Sequence, residues 1–266
     1  MKRKKKTLVT GAEWLGRNAP KHKISLVMPC YNEGSSIYKN IKETINTMGD
    51  FNNFNIDYEI ILVDDGSTDN TYSEIKKIKS KKVKLVSYKP NKGKGHALVY
   101  GFKFVTGDLV AFIDSDLEIH PKQLLRFISY VYEYNADIVI GSKRHPDAKV
   151  NYPLKRKILS TGYHLFVNLL FGLQVHDTQS GLKLLRYSAA KKILPMLVVK
   201  HYAFDLELLV VAKKFNLMVK EAPIEVNFNF DRKRIGVTSS WPILNDTLGI
   251  AYRKYILRYY DPKKRA

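Results

Sequence analysis

Asp114 and Asp116 stand two residues apart, separated by Ser115, directly after the apolar run Leu109-Val110-Ala111-Phe112-Ile113. Two carboxylates on one turn can reach a single hard cation. Mg²⁺ or Mn²⁺ held by one or two acids keeps coordination positions open for substrate phosphates. Taken alone the spacing is a common one, and Asp116 can equally cap the turn before the helix that opens near Pro121. Two further apolar runs end in the same manner, at Pro29-Cys30-Tyr31-Asn32-Glu33 and at Asp64-Asp65-Gly66-Ser67. Acids converging on one place repel each other, and a divalent cation is the simplest reason for them to gather in a chain of formal charge +20.

The elements that must place these acids read as an alternation. Ile24–Met28, Tyr58–Val63, Val83–Ser87, Leu109–Ile113 and Ala136–Ile140 are short apolar runs of the kind buried strands show. Helical spacing separates them: Ile37, Ile41, Ile45 and Met48 recur every three or four residues, and further helices are expected from Asp69, over Lys94–Val105, and from Pro121 through Val131. Strands alternating with helices predict an α/β fold with a mostly parallel sheet covered on both faces. In such a sheet ligands sit outside the carboxyl ends of the strands, where the acids fall. Beyond Ser142 the rhythm changes. A helix over Ile158–Leu170, an Asp177–Gly181 loop, helices on both sides of Pro195, a strand over Val219–Phe228 and a helical tail from Trp241 to Tyr260 are expected. Residues 1–23 read as a basic arm, and residues 24–266 as a single domain with a nucleotide-facing half to about 142 and an acceptor-facing half from 143.

Composition narrows the partners. Hydrophobic residues make up 45% of the chain, enough for a sizeable core, and 45 Lys and Arg stand against 25 Asp and Glu. Such an excess draws polyanions: nucleic acid, an anionic membrane face, or phosphate-rich small molecules. Aromatics interleaved with basic residues on a strand face and a helix-turn-helix are both absent, so no nucleic-acid partner is expected. Cys30 is the only cysteine, which fits a reducing compartment. No apolar run approaches the ~20 residues that span a bilayer.

Four segments, in order and at matching spacing, resemble the inverting family 2 glycosyltransferases of GT-A (Rossmann-like) fold. They are Met28–Glu33, Val63–Asp69, Asn91-Lys92-Gly93-Lys94-Gly95 and Asp114-Ser115-Asp116. The resemblance implies that Pro29, Tyr31, Glu33, Val63 and Asp65 line the base and ribose of a nucleotide-sugar. It further implies that Asp114, Ser115 and Asp116 take the metal and diphosphate, and that Arg234 lies in a loop closing on the diphosphate. Glu118 stands where many mannosyl relatives carry Gln, as a third metal ligand or as a turn cap. Gly141–Arg144, Tyr152–Ser160 and Asp177 with Ser180-Gly181 are similar to the polyprenyl-phosphate branch, and Tyr202–Leu209 to the dolichyl-phosphate glucosyltransferases.

That resemblance implies transfer of one sugar, glucose from UDP-glucose first and mannose from GDP-mannose second, to a dolichyl or polyprenyl phosphate at the cytoplasmic membrane face. A phosphate monoester is largely ionised at neutral pH, its second pKa being about 6. It needs positioning and charge neutralisation more than a base. Lys143, Arg144, Arg156 and Ser160 are the expected acceptor-phosphate residues, with a solvated basic face as the plain alternative. An enzyme of the same fold acting on a glycan hydroxyl would need a base, and Asp177 or Asp205 would have to supply it. Asp205 can otherwise position acceptor or sugar, or cap its helix. Docking on anionic lipid is expected through the basic arm and the aromatic, basic tail. The lysines from Lys76 to Lys94 read as a solvated face.

Overall fold

The computed structural model describes residues 21–149, 154–201, 203–227 and 240–261, with 154–160 and 240 described by backbone alone. The strands are β1 (His22–Cys30), β2 (Ile56–Asp65), β3 (Val83–Tyr88), β4 (Leu109–Phe112), β5 (Ile138–Ser142), β6 (Lys183–Arg186) and β7 (Val219–Pro223). The helices are α1 (Ile37–Gly49), α2 (Thr71–Lys76), α3 (Lys94–Phe102), α4 (Leu124–Glu133), α5 (Leu154–Phe171), α6 (Tyr187–Ile193), α7 (Phe204–Lys214) and α8 (Ser240–Tyr255). A 3₁₀ turn, Pro121–Gln123, leads into α4.

One sheet runs β3-β2-β1-β4-β6-β5-β7. Alternate residues of its strands serve opposite faces: Val27, Ile61 and Val63 pack with α3 and α7, whereas Leu26, Met28, Ile60 and Leu62 pack with α1 and α4. This two-sided burial is why the strands read as continuous apolar runs. β1 pairs in parallel with β2 and β4, so Cys30, Asp64 and the end of β4 fall along one rim.

The sequence reading missed β6. It lies antiparallel between β4 and β5, with Lys183 opposite Phe112 on one side and Ile140 on the other. Its reversed direction brings its first residue, and the Asp177–Gly181 loop before it, to the rim where the parallel strands end. Other boundaries also differ. β1 begins at His22, so His22 and Lys23 belong to the sheet rather than to the arm; the His22 ring stacks on Tyr132 and Lys23 pairs with Glu59 at 3.2 Å. β7 stops at Pro223, which has no N–H for the ladder, leaving an isolated bridge between Lys149 and Glu225; Phe228 lies outside the described residues. The helix from Asp69 shortens to α2, and α8 ends at Tyr255, before Arg258 turns to a positive φ of 50°.

The carboxyl-terminal helix is tied to the body. Glu207, fully buried, accepts from the Val198 and Val199 amides at 2.8 and 2.7 Å and from the Tyr260 hydroxyl, while Arg253 lies 3.4 Å away. α8 also runs beside α5 through a Tyr163–Thr247 hydroxyl pair at 2.9 Å and a Tyr255 hydroxyl donating to the Leu170 carbonyl.

Candidate active site

The rim is built around Asp65. Buried at the end of β2, its carboxylate accepts from the Tyr88 hydroxyl (2.8 Å), Asn91 Nδ2 (3.0 Å), the Lys92 amide (2.8 Å) and the Gly93 amide (2.9 Å). Four donors on one carboxylate pin the loop that launches α3. Gly93 adopts a φ of +94°, which a side chain resists. Burial and the adjacent Asp65 charge push the Tyr88 hydroxyl pKa up, so it stays a proton donor. Asp65 therefore faces the loop it organises, a role that spacing alone did not reveal.

The loops after β1 and β2 interlock. Asn32 sits at a φ of 51° and takes the Thr68 amide on its side-chain oxygen at 2.9 Å; the Glu33 amide donates to Thr71 Oγ1 at 2.7 Å. Tyr31 is exposed, Glu33 half-buried and Val63 buried. Pro29 joins the next loop, its carbonyl accepting from Ser115 Oγ at 3.0 Å. Asn40 of α1 holds the Ser115 carbonyl at 2.9 Å. The structure thus brings the β1, β2 and β4 ends together, as the sequence required.

Asp114 pairs with Lys94 at 2.5 Å, and both side chains remain partly open, at 38% and 40%. Lys94 opens α3 and is part of the cleft, not of the solvated lysine face expected for it. Burial disfavours its charge, yet Asp114, then Asp205 and Asp116, outweigh that and raise its pKa. Asp116 accepts the Glu118 amide at 3.0 Å across Leu117, whose φ is 58°. The turn-stabilising role for Asp116 is therefore present, whatever else it holds. Glu118 offers its carbonyl to the Asn227 amide at 2.8 Å.

Among the described residues no three His, Cys, Asp or Glu side chains gather into a metal-holding group, so Asp114, Asp116 and Glu118 do not form one here. Two carboxylates remain, and the donor set fits a hard cation that takes its other oxygens from substrate phosphates. Space is conserved for the first of them: a Cβ built on Gly181 would overlap Asp114 Oδ2.

After β5, the Lys143 amide donates to Asp177 Oδ2 at 3.0 Å, and its ammonium lies 2.9 Å from the Gln179 carbonyl and 3.8 Å from Asp177. Asp177 is buried and also accepts the Gln179 amide at 3.1 Å. Arg144 reaches Thr161 of α5 at 3.5 Å. The side chains of Arg156 and Ser160 on α5, and all of Arg234, lie outside the described residues. Asp205 stands in the first turn of α7, paired at 2.7 Å with Lys183, a residue the sequence reading did not single out.

Fold comparison first gives the class. The structure matches glucosyl-3-phosphoglycerate synthase from Mycobacterium tuberculosis with a TM-score of 0.64 at 18% identity, over 95% of this chain and 85% of that one. The sheet and its flanking helices have the GT-A fold. The glycosyl transferase family 2 model matches residues 25–194, and the chain belongs to that family. A dolichyl-phosphate beta-glucosyltransferase of Dictyostelium discoideum is 30% identical over 252 residues, 90% of this chain and 77% of its own length. A UDP-N-acetylglucosamine–dolichyl-phosphate N-acetylglucosaminyltransferase of Methanococcus voltae is 32% identical over 220 residues, covering 76% and 84%. The mycobacterial synthase has also been crystallised with Mn²⁺, UDP-glucose and phosphoglyceric acid, in a form matching at a TM-score of 0.63, 18% identity and the same 95% and 85% coverage.

Proposed function

We propose that this glycosyltransferase moves a single sugar, glucose from UDP-glucose in the first instance, onto a dolichyl or polyprenyl phosphate with inversion. One observation carries the choice of acceptor: both acids that could act as a base toward a hydroxyl are already engaged by lysines, Asp177 by Lys143 and Asp205 by Lys183. A phosphate oxygen needs neither. It attacks the anomeric carbon as the bond to the diphosphate oxygen breaks, and the nucleoside diphosphate leaves. Asp114 and Asp116 would hold Mg²⁺ or Mn²⁺, which when bound neutralises charge on that leaving group. Residues to about 142 form the nucleotide-facing half, with Pro29, Tyr31 and Glu33 at the base and ribose, while Val63, buried in the core, and Asp65, whose carboxylate holds the Tyr88–Gly93 loop, support them from behind. Lys143, Arg144, Arg156 and Ser160 serve the acceptor phosphate, and Arg234 closes on the diphosphate. The names of the two dolichyl-phosphate relatives, together with the UDP-glucose and Mn²⁺ of the mycobacterial synthase, support this reading.

Radiolabelled UDP-glucose and GDP-mannose, each offered with a polyprenyl phosphate and with free glycans, test it. Label is expected in the lipid phase, from UDP-glucose above GDP-mannose. Label confined to glycans would establish hydroxyl transfer instead.

Such an acceptor places the enzyme on a membrane, peripherally and on the cytoplasmic face. No helix among the described residues is long and apolar enough to cross one. α8 and its end expose Trp241, Tyr252, Tyr255 and Ile256, and neighbouring α5 exposes Leu165 and Leu169, the last at 86%. Aromatics beside Arg253, Lys254 and Arg258 suit a headgroup interface. Each basic residue near anionic lipid contributes about 1 kcal/mol. Binding to phosphatidylserine vesicles is expected to weaken at least tenfold between low salt and 0.5 M NaCl in a flotation assay. Salt-independent partitioning would count against electrostatic docking.

A further inference from the structure

Lys183 opens a four-residue strand in the middle of the sheet with its side chain 3% exposed. A buried ammonium costs several kcal/mol unless it is paired and hydrogen-bonded, so this position must have its charge answered. Asp205 Oδ1 lies 2.7 Å away and the Ser180 carbonyl accepts from the same nitrogen. Because β6 runs against its neighbours, Lys183 lies opposite Phe112 at the carboxyl end of β4, next to the Asp114–Lys94 pair. Asp205 belongs to the same cluster, since its charge reaches Lys94 as well as Lys183. The charged groups facing Lys183 are thus Asp205 from α7, Lys94 from α3 and Asp114 after β4.

Two further features define Asp205. It sits in the first turn of an 11-residue helix whose N-cap, Ala203, has no side chain to satisfy the free amides. Asp205 Oδ1 is buried against the sealed Lys183, and the 13% exposure of the side chain falls on its other atoms.

We propose that Lys183 is a positioning residue. Its sealed ammonium fixes Asp205 as a hydrogen-bond acceptor for hydroxyls of the donor sugar, and by occupying the carboxylate it withholds Asp205 from base catalysis. The inference rests on the reading that the donor is a nucleotide-sugar. It explains how a carboxylate stands beside the reacting centre without promoting attack by water. Released from Lys183, Asp205 can accept a proton from water while the water oxygen bonds to the anomeric carbon and the bond to the diphosphate breaks. The products are free sugar and nucleoside diphosphate, and the proton then passes from Asp205 to solvent.

The test uses the full chain and no acceptor: nucleoside diphosphate release from UDP-glucose and GDP-mannose is followed between pH 5 and 9. Lys183→Met is expected to raise donor KM about tenfold, as a charge-assisted hydrogen bond loses its alignment. It is also expected to raise donor hydrolysis relative to the parent and give it a new acid limb. Lys183→Arg restores the low hydrolysis, and Lys183→Met with Asp205→Asn abolishes the gain. If Lys183→Met does not fold, Lys183→Arg alone decides: its displaced charge is expected to raise donor KM several-fold while UDP affinity by calorimetry stays constant. Unchanged KM and hydrolysis in the folded variants, or an equal loss in Met and Arg variants with an unaltered pH profile, overturns the role of Lys183. A parent chain that turns over neither donor even when a polyprenyl phosphate is supplied overturns the functional reading itself, and this inference with it.

Discussion

Alanine at Asp114 or Asp116 is expected to lower sugar transfer by about three orders of magnitude, the loss that follows when several kcal/mol of charge stabilisation are removed from a departing diphosphate. Stability is expected to change little. The Asp114–Lys94 pair is more than one-third exposed on both sides, and ion pairs that open to solvent contribute modestly. Asp116 accepts the Glu118 amide within its own turn. An activity collapse with an unmoved melting temperature therefore separates a reaction role from a structural one. Calorimetric titration of the variants with Mn²⁺ in the presence of UDP supplies the second readout, and binding is expected to disappear. An Asp116→Ala variant that turns over donor at the parental rate would remove the metal-diphosphate assignment.

Asp65→Ala is expected to do the reverse and damage the fold first. Its carboxylate receives four donors, two of them the Lys92 and Gly93 backbone amides, at a site only 3% exposed. A buried donor left without its acceptor costs about 1–3 kcal/mol. Several stranded together, relaxing in part, cost on the order of 3 kcal/mol or more. For a chain of this size that corresponds to a melting temperature lower by roughly 10 °C, readable by calorimetry. Donor turnover falls as well, because the same loop sets Lys94 against Asp114. Loss of turnover with an unchanged melting temperature would show that Asp65 serves the ligand and not the loop.

The acids and the strands that carry them were legible because each depends on a short local pattern: an apolar run, then a carboxylate. Ile37, Ile41 and Met48 gave α1 for the same reason, and all three are buried. What stayed hidden depends on residues far apart in sequence. Lys183-Leu184-Leu185-Arg186 is too short for periodicity to register, and a strand that begins with lysine contradicts the apolar pattern unless its partner is known. That partner, Asp205, comes from another element. Lys94 belonged to the Asn91–Gly95 resemblance, but its partner Asp114 became visible only when α3 set the two side by side. Gly181 stood out only within the Ser180-Gly181 resemblance; its constraint, the proximity of Asp114, is one that only the antiparallel pairing of β4 and β6 creates. β7 was read too long because Pro223 was given less weight than the β-branched residues around it.

The reversed strand also sets the order in which the molecule can be finished. As the chain leaves the ribosome, β1 to β5 emerge before β6, and through that interval β4 and β5 have no partner on the sides where β6 will lie. Unpaired edges are templates for misassociation, and pairings between distant segments form slowly. A chain halted before Gly181 holds three acid-bearing strand ends but has neither that glycine beside Asp114 nor the Lys183–Asp205 pair. The cleft closes only after this central strand arrives, so assembling the site depends on the same strand that joins β4 to β5.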